Sequence, residues 1–468
     1  MQNQPPSPTS PSFFRRRRTS PLQRRVWKIA IPSISENLLQ TSLIMIDTLM
    51  IARFGAVALA ASSFAGVLIW RSQMTFGCID KGTMALVARA AGAGDKDEAS
   101  RAVAQSIMLS FIIGTLLALG IFIGAPHFLT WMKAEPEVVA MGTPYLTIVG
   151  LASIPRLFFA VVATSLRATG DTKTPMWISL GMNIISILLN FPLIYGIPAI
   201  PMLGITGWDG LGLTGSGIST AIAITFAAVA VGWVAQSGRS QYKLKWEHFR
   251  ADFTTLNRLV RVSIPAFIEE IIISFGFIPF YTFIATFGTV AVASHAIAAR
   301  VESLSYMVGI GFAVAAAALV GQSLGQRDPD QARQAFRIAT KSSVVLMSFA
   351  AVGLVLLAPY IVRLFKPESI EIQEMATILV MIAAIEQPVL GIAMTLGGGL
   401  RGSGDTFTPM ISSLICSVGV RVGASYFFAF TLDLGIYGIY FGTMADWTMR
   451  ALFLYIFYRS ERWARIRV

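Results

Sequence analysis

From Ala102 to Ala125 the chain runs AVAQSIMLSFIIGTLLALGIFIGA without one charged residue. A stretch of this kind meets the need for roughly 20 helical residues across a hydrocarbon core about 30 Å thick. Comparable stretches lie at 26–51, 56–85, 143–164, 176–197, 214–235, 262–287, 290–320, 342–360, 376–398, 409–430 and 434–457, so twelve spans are expected. The second is the most interrupted, by Arg71, Asp80 and Lys81. Backbone groups in lipid must bond within their own segment unless a barrel closes. Barrel strands would be ten-residue alternating segments, so these longer apolar runs are read as helices. Composition agrees: 13% of the 468 residues are charged and the mean hydropathy is +0.65, against about 25% charged in a soluble domain. The expected class is an all-α polytopic membrane protein.

A net charge of +12 could suggest a nucleic-acid partner. That reading needs bases gathered on a polar face, whereas here they sit mainly in the connections between spans, and no nucleic-acid partner is expected. Lys and Arg crowd one side of the membrane, while the other holds Arg53, Lys133, Arg363 and Lys366. The positive-inside rule then places both termini in the cytoplasm of a multi-pass protein of the cell (inner) membrane. Residues 1–25 are rich in Pro, Ser and Arg and lack the apolar region of a secretory signal. They are read as a disordered basic cytoplasmic tail, with an organelle transit peptide as the alternative. Cys78 and Cys416 fall in separate spans and His127, His248 and His295 are scattered, so neither a disulfide nor a metal site is expected.

The chain repeats itself. LRATGDTKTPM at 166–176 and LRGSGDTFTPM at 400–410 agree at eight of eleven positions, at an offset of 234. Within one residue the same offset carries Pro32 and Glu36 onto Pro265 and Glu269, Phe54-Gly55 onto Phe287-Gly288, and Gly92, Asp95 and Asp97 onto Gly325, Asp328 and Asp330. The expected organisation is an N-lobe at 26–235, a cytoplasmic linker at 236–261, a C-lobe at 262–457 and a basic cytoplasmic tail at 458–468. Six spans per half is an even number, so the lobes share one orientation. A pseudo-two-fold along the membrane normal relates such repeats, and it leaves a cleft between the lobes suited to alternating access.

Those paired loops, with GAGDKDEASRA, GQRDPDQARQA and FGTVAVASHAIAARVESLSYM, resemble the multidrug and toxic compound extrusion (MATE) family over residues 26–457. IPSISENLLQTSLIMIDTLMIARFG at 31–55 is most similar to its prokaryotic DNA-damage-inducible (DinF-like) branch. The resemblance implies export of organic, often cationic, small molecules in exchange for H⁺ or Na⁺, in the lipid bilayer, by a monomer without a cofactor. The Gly-Asp-Thr and Thr-Pro pairs themselves read as helix stop, turn and helix start, with Arg167 and Arg401 near lipid headgroups.

Ionisable residues inside spans are functional candidates by default, because a buried carboxylate costs several kcal/mol unless paired or protonated. Asp47 stands in span 1 amid SLIMIDTLMIA with no neighbouring charge, about fifteen residues after Pro32, a residue able to bend the helix. The resemblance implies that Asp47 is the coupling carboxylate. In span 5, Asn190 stands where some relatives carry a second acid, and Asn183 lies two turns earlier on nearly the same face. One carboxylate in this N-lobe site favours H⁺ over Na⁺. Ionised, Asp47 would hold a cationic substrate; protonated, it would release it.

At the Asp47 position the second half has Phe280, so the coupling site is not duplicated. Possible C-lobe or cleft acids are Glu269, Glu270, Glu302 and Glu386, with Glu36 the repeat mate of Glu269. Ile273 and Leu390 occupy roughly the places of acids in the Na⁺-coupled branch. Arg71 and Arg156 are possible cleft cations. Arg300 and Arg421 also lie in spans, and Arg300 cannot share a face with Glu302 two residues on. A lipid-linked oligosaccharide flippase of the same superfamily is the alternative function, since its cleft must be rich in cations. An intramembrane enzyme is a remote alternative, because no HExxH or nucleophile–base set is present. Gly-Lys never occurs, so no Walker loop can bind ATP.

Overall fold

A computed structural model of the chain describes residues 20–197, 208–238 and 242–466. The tail expected before Ser20 lies outside the described residues. Twelve long helical elements follow in order: α1 (Pro21–Ala52), α2 in two segments (Ala56–Phe76 and Ile79–Ala93), α3 (Lys96–Trp131), α4 (Pro136–Ala168), α5 (Lys173–Tyr195), α6 (Gly212–Gln236), α7 (Phe253–Thr286), α8 (Thr289–Gly325), α9 (Pro329–Leu364), α10 (Ile370–Ser403), α11 (Phe407–Thr431) and α12 (Gly435–Arg459). A two-residue antiparallel pair, β1 (Gly196–Ile197) with β2 (Trp208–Asp209), closes the connection between α5 and α6.

Ten of these helices are long and apolar enough to cross a membrane on their own. The other two are α2, which is divided, and α12, which buries Asp446 and Arg450. The expected second span at 56–85 is corrected to two segments that part at Gly77-Cys78. A Cβ on Gly77 would press against the Gln73 carbonyl, so glycine permits the turn. Helix starts follow local chemistry: Asp95 accepts from Glu98 N at 2.9 Å and its repeat mate Asp328 from Gln331 N at 2.8 Å, each satisfying a backbone donor left over in the first turn.

The segments outside the spans are folded in part. The chain turns helical at Pro21, inside the expected tail, because Ser20 caps the helix and proline suits its first position. The linker carries a 3-10 turn at Trp246–Phe249, and α7 already begins at Phe253. Gln105 donates to the His248 and Arg250 carbonyls, and the His248 ring meets Asp97 at 3.0 Å, docking the linker on the first turns of α3. The His248 hydrogen bond holds the Asp97 carboxyl below its usual 3.8. At the other end Trp463 is buried against Phe336 and Tyr458. The expected basic tail is therefore packed as far as Ile466, whose carbonyl accepts from Arg89.

The two halves meet through self-complementary contacts. Gly92 lies on the Gln322 carbonyl, and Gly325 lies on the Arg89 carbonyl. One offset of 233 maps the first pair onto the second, as a two-fold axis requires of an isologous contact. The motif loops of both halves sit on the same face as the start of α1, since Gln322 accepts from Arg25 and donates to the Ala168 carbonyl. This face, which carries the described chain ends, is called the terminal face below, and its opposite the far face.

The core explains the shape. On the terminal side one apolar cluster draws on both lobes, with Ala30, Ala88 and Val162 beside Leu259, Phe312 and Phe336. Toward the far side the clusters separate: one is built from the C-lobe alone and two from the N-lobe alone. The lobes are joined at the terminal face and parted at the far face, leaving a cleft that opens there.

Candidate functional site

Asp47 lies near the far end of α1, half-buried inside the N-lobe. Asn190 of α5 donates to Asp47 Oδ1 at 2.6 Å, and the Ser219 hydroxyl of α6 meets the Asn190 carbonyl oxygen. Three helices thus converge on one carboxyl group. Asn183 does not join them. Its amide donates to the Leu39 carbonyl at 2.8 Å, tying α5 to α1 two turns nearer the terminal face. On α4, Tyr145 packs on Gly217 of α6, and Arg156 falls on the same helical face. Arg156 Nε is buried without a hydrogen-bond partner among the described residues.

Pro32 stands within an unbroken α1. Having no N–H, it leaves the Lys28 carbonyl without its helical donor, and the Thr172 hydroxyl of the Gly-Asp-Thr loop reaches that carbonyl at 3.3 Å. In the other lobe Thr406 donates to the Val262 carbonyl at 2.7 Å, one turn before Pro265. Arg167 and Arg401 are not at headgroups as expected. Arg167 pairs with Glu36 at 2.6 Å and Arg401 with Glu269 at 2.5 Å, and Ser179 and Ser413 add hydrogen bonds to the same carboxylates. Each carboxylate is buried, which makes the arginine its natural counter-charge. The repeated loops are therefore clamps on the proline turn of each lobe's first helix, and Glu269 belongs to a clamp rather than to the cleft.

The C-lobe is built differently. Phe280, at the position equivalent to Asp47, is buried edge-on to His295, and His295 Nδ1 meets the Tyr440 hydroxyl at 2.8 Å. Glu302 of α8 and Glu386 of α10 are neighbouring acids, and Thr443 donates to Glu386 at 3.1 Å. Beside them Asp446, fully buried, accepts from both Arg421 at 2.8 Å and Arg450 at 3.1 Å. Arg450 also donates to Ser413 and Ser417. The π-helical turn at Leu414–Val420, a feature frequent at functional sites, keeps Ser413, Ser417 and Arg421 on one side facing α12. Arg300 is exposed on α8.

Among the contacts that cross between the lobes at the cleft floor, two are polar. Lys81 of α2 pairs with Glu270 of α7 at 2.6 Å, and Arg71 of α2 donates to Ser274 of α7 at 3.0 Å. Glu270 is thus a cross-lobe partner of the lysine that interrupts span 2.

The MatE family matches this chain twice, over residues 32–195 and 265–427, once in each lobe. The chain belongs to the MatE family. A Thermotoga maritima protein described as a probable multidrug resistance protein NorM is 25% identical over 444 residues, covering 95% of this chain and 94% of its own. A Rhizobium meliloti protein of the same description is 27% identical over 434 residues, or 91% of each chain. In three dimensions the chain resembles an outward-facing multidrug resistance MATE family transporter with a TM-score of 0.87 at 20% identity, over 96% of this chain and 98% of the other. A MATE structure described as the bent conformation gives 0.85 at 20% identity, over 95% and 96%. This is a multi-pass membrane transporter of two lobes.

Several residues that shape this MatE site were not singled out in the sequence. Ser219, Thr443 and Tyr440 are ordinary residues of apolar helices, and only the fold gives them partners. Asp446 and Arg450 did carry a signal: an acid and a base four residues apart in a span share a helix face. Among the described residues, no group of three or more His, Cys, Asp and Glu side chains is placed to hold a metal ion.

Proposed function

We propose that this MatE chain exports organic small molecules, as the multidrug resistance names of its relatives suggest, in exchange for protons and by alternating access. It would act as a monomer in the cell membrane with both termini cytoplasmic, so the far face is the outer one. The observation that carries the reading is the Asp47–Asn190 hydrogen bond at 2.6 Å, a single carboxyl site present in one lobe and replaced by Phe280 in the other. An amide partner cannot titrate, so Asp47 alone exchanges a proton there, and one carboxylate suits H⁺ better than Na⁺.

A proton arriving through the open far face neutralises Asp47, removes its hold on a positively charged group and lets α1 pack more tightly around its proline turn. Cargo leaves, the protonated carrier turns inward, and the proton departs there. Coupling requires that proton and cargo prefer different states. The neighbouring acids Glu302 and Glu386 of the C-lobe offer a second exchangeable site. Asp47→Asn should fold normally and lose gradient-driven efflux of a cationic dye from proteoliposomes. Full uphill transport by that variant would move coupling to the Glu302–Glu386 pair, and dye efflux driven by an imposed Na⁺ gradient would reject the proton.

A further inference from the structure

We propose that Arg71 and the rings around it form a subsite for an aryl carboxylate, or an equivalent aromatic acid group, on the exported compound. This rests on the export reading and names the cargo chemistry of the same cleft. Most bases inside the bundle are already neutralised: Lys81 by Glu270, Arg167 by Glu36, Arg401 by Glu269, and Arg421 and Arg450 by Asp446. Arg71 has no carboxylate within ion-pair distance among the described residues. Arg156 and Arg300 share that lack, but Arg156 is enclosed in the N-lobe, whereas Arg71 stands between the lobes.

Its setting is specific. Arg71 lies on α2 about 20 Å below the far end of that helix, counting 1.5 Å per residue, which places it at the cleft floor. Ser274 of the opposite lobe holds one of its Nη atoms, and Ser274 spends its own proton on the Glu270 carbonyl. An arginine has five N–H donors in a planar fork, so most of this fork remains for a planar anion. The guanidinium lies 4.8 Å from the Trp70 ring centroid and 5.6 Å from that of Phe277. On the far side of this group, Arg421 approaches the same Phe277 ring at 5.1 Å. Trp70 is half-exposed, and so is Tyr281, whose ring centroid lies 6.0 Å from that of Phe277. A cation framed by exposed rings recognises a flat aromatic body with an acid attached, since the acid takes the fork and the body stacks. A lipid headgroup would offer the anion without the ring.

Rhodamine 110 and rhodamine 123 test this, because they share one cationic ring system and differ in a free carboxylate against its methyl ester. Binding is read by fluorescence anisotropy on the full chain in detergent. Arg71→Gln should weaken rhodamine 110 by at least about tenfold, the cost of a lost hydrogen bond to a charged group, and leave rhodamine 123 within twofold. Arg71→Lys should recover part of the loss. Equal weakening of both dyes would make Arg71 a tether between lobes and overturn the proposal, as would unchanged rhodamine 110 affinity or no rhodamine 110 binding by the unaltered chain. Displacement of rhodamine 110 by an equal concentration of dihexanoyl phosphatidylglycerol would assign the site to a lipid headgroup and overturn it too. Gradient-driven rhodamine 123 efflux that persists alongside such results leaves the export reading standing.

Discussion

Asp446 shows what a carboxylate needs in order to persist inside a helical bundle. It is fully buried and engages two guanidinium groups, one on its own helix and one on α11. Asp446→Asn leaves Arg421 and Arg450 without a counter-charge, and removing one partner of a buried ion pair costs roughly 3–5 kcal/mol. The variant should melt well below the unaltered protein in detergent, by tryptophan fluorescence. Adding Arg421→Met should restore part of the loss, because an apolar side chain needs no partner; an equal or larger deficit in the double variant would show that Arg421 also supports other contacts. Asp47 makes a different arrangement. It keeps a single amide donor and stays half-buried, which suits the proton exchange proposed for it.

At the scale of elements, hydropathy located the spans because the bilayer demands long apolar helices, and the repeated loops pointed to two lobes. Their role could not be read, since Thr172 and Arg167 act on atoms of α1 that the sequence places more than a hundred residues away. The break in α2 was visible only as interrupting charges, and the linker's order was invisible because His248 and Gln105 reveal nothing until α3 and the linker are adjacent. That docking makes a pH prediction. The His248 hydrogen bond lowers the Asp97 carboxyl below its ordinary 3.8, so its contribution is present above that value and is lost as pH falls through the lowered one. The linker at 242–252 should stay docked from pH 7 to pH 5 and loosen only in stronger acid. Hydrogen exchange corrected for intrinsic rate would show this; loosening already at pH 5 would show that the docking does not rest on the ionised Asp97 carboxylate. His248→Ala should give the loosened exchange at pH 7.

For the whole molecule, the terminal face is closed by backbone contact at two glycines. A side chain on Gly92 would collide with the Gln322 carbonyl, and one on Gly325 with the Arg89 carbonyl. Gly92→Val and Gly325→Val should therefore have matching effects, each prising the lobes apart on that side. Spin-label distances across the terminal face should lengthen in both, while helix content stays unchanged. A change in only one of them would mean that the two contacts differ in weight despite their symmetry.

The axis that relates the lobes runs through the bilayer from face to face, so no operation built into the chain exchanges those faces. A carrier made from an inverted repeat can swap its two access states by exchanging the roles of its halves. Under the proposed alternating access each state would be closed by its own set of residues: glycines and carbonyls at the terminal face, and a different set wherever the far face comes together. The resting preference of this transporter is consequently a free variable, adjustable by substitutions at either rim that never touch cargo or proton. Two such carriers with identical binding sites could idle facing opposite ways.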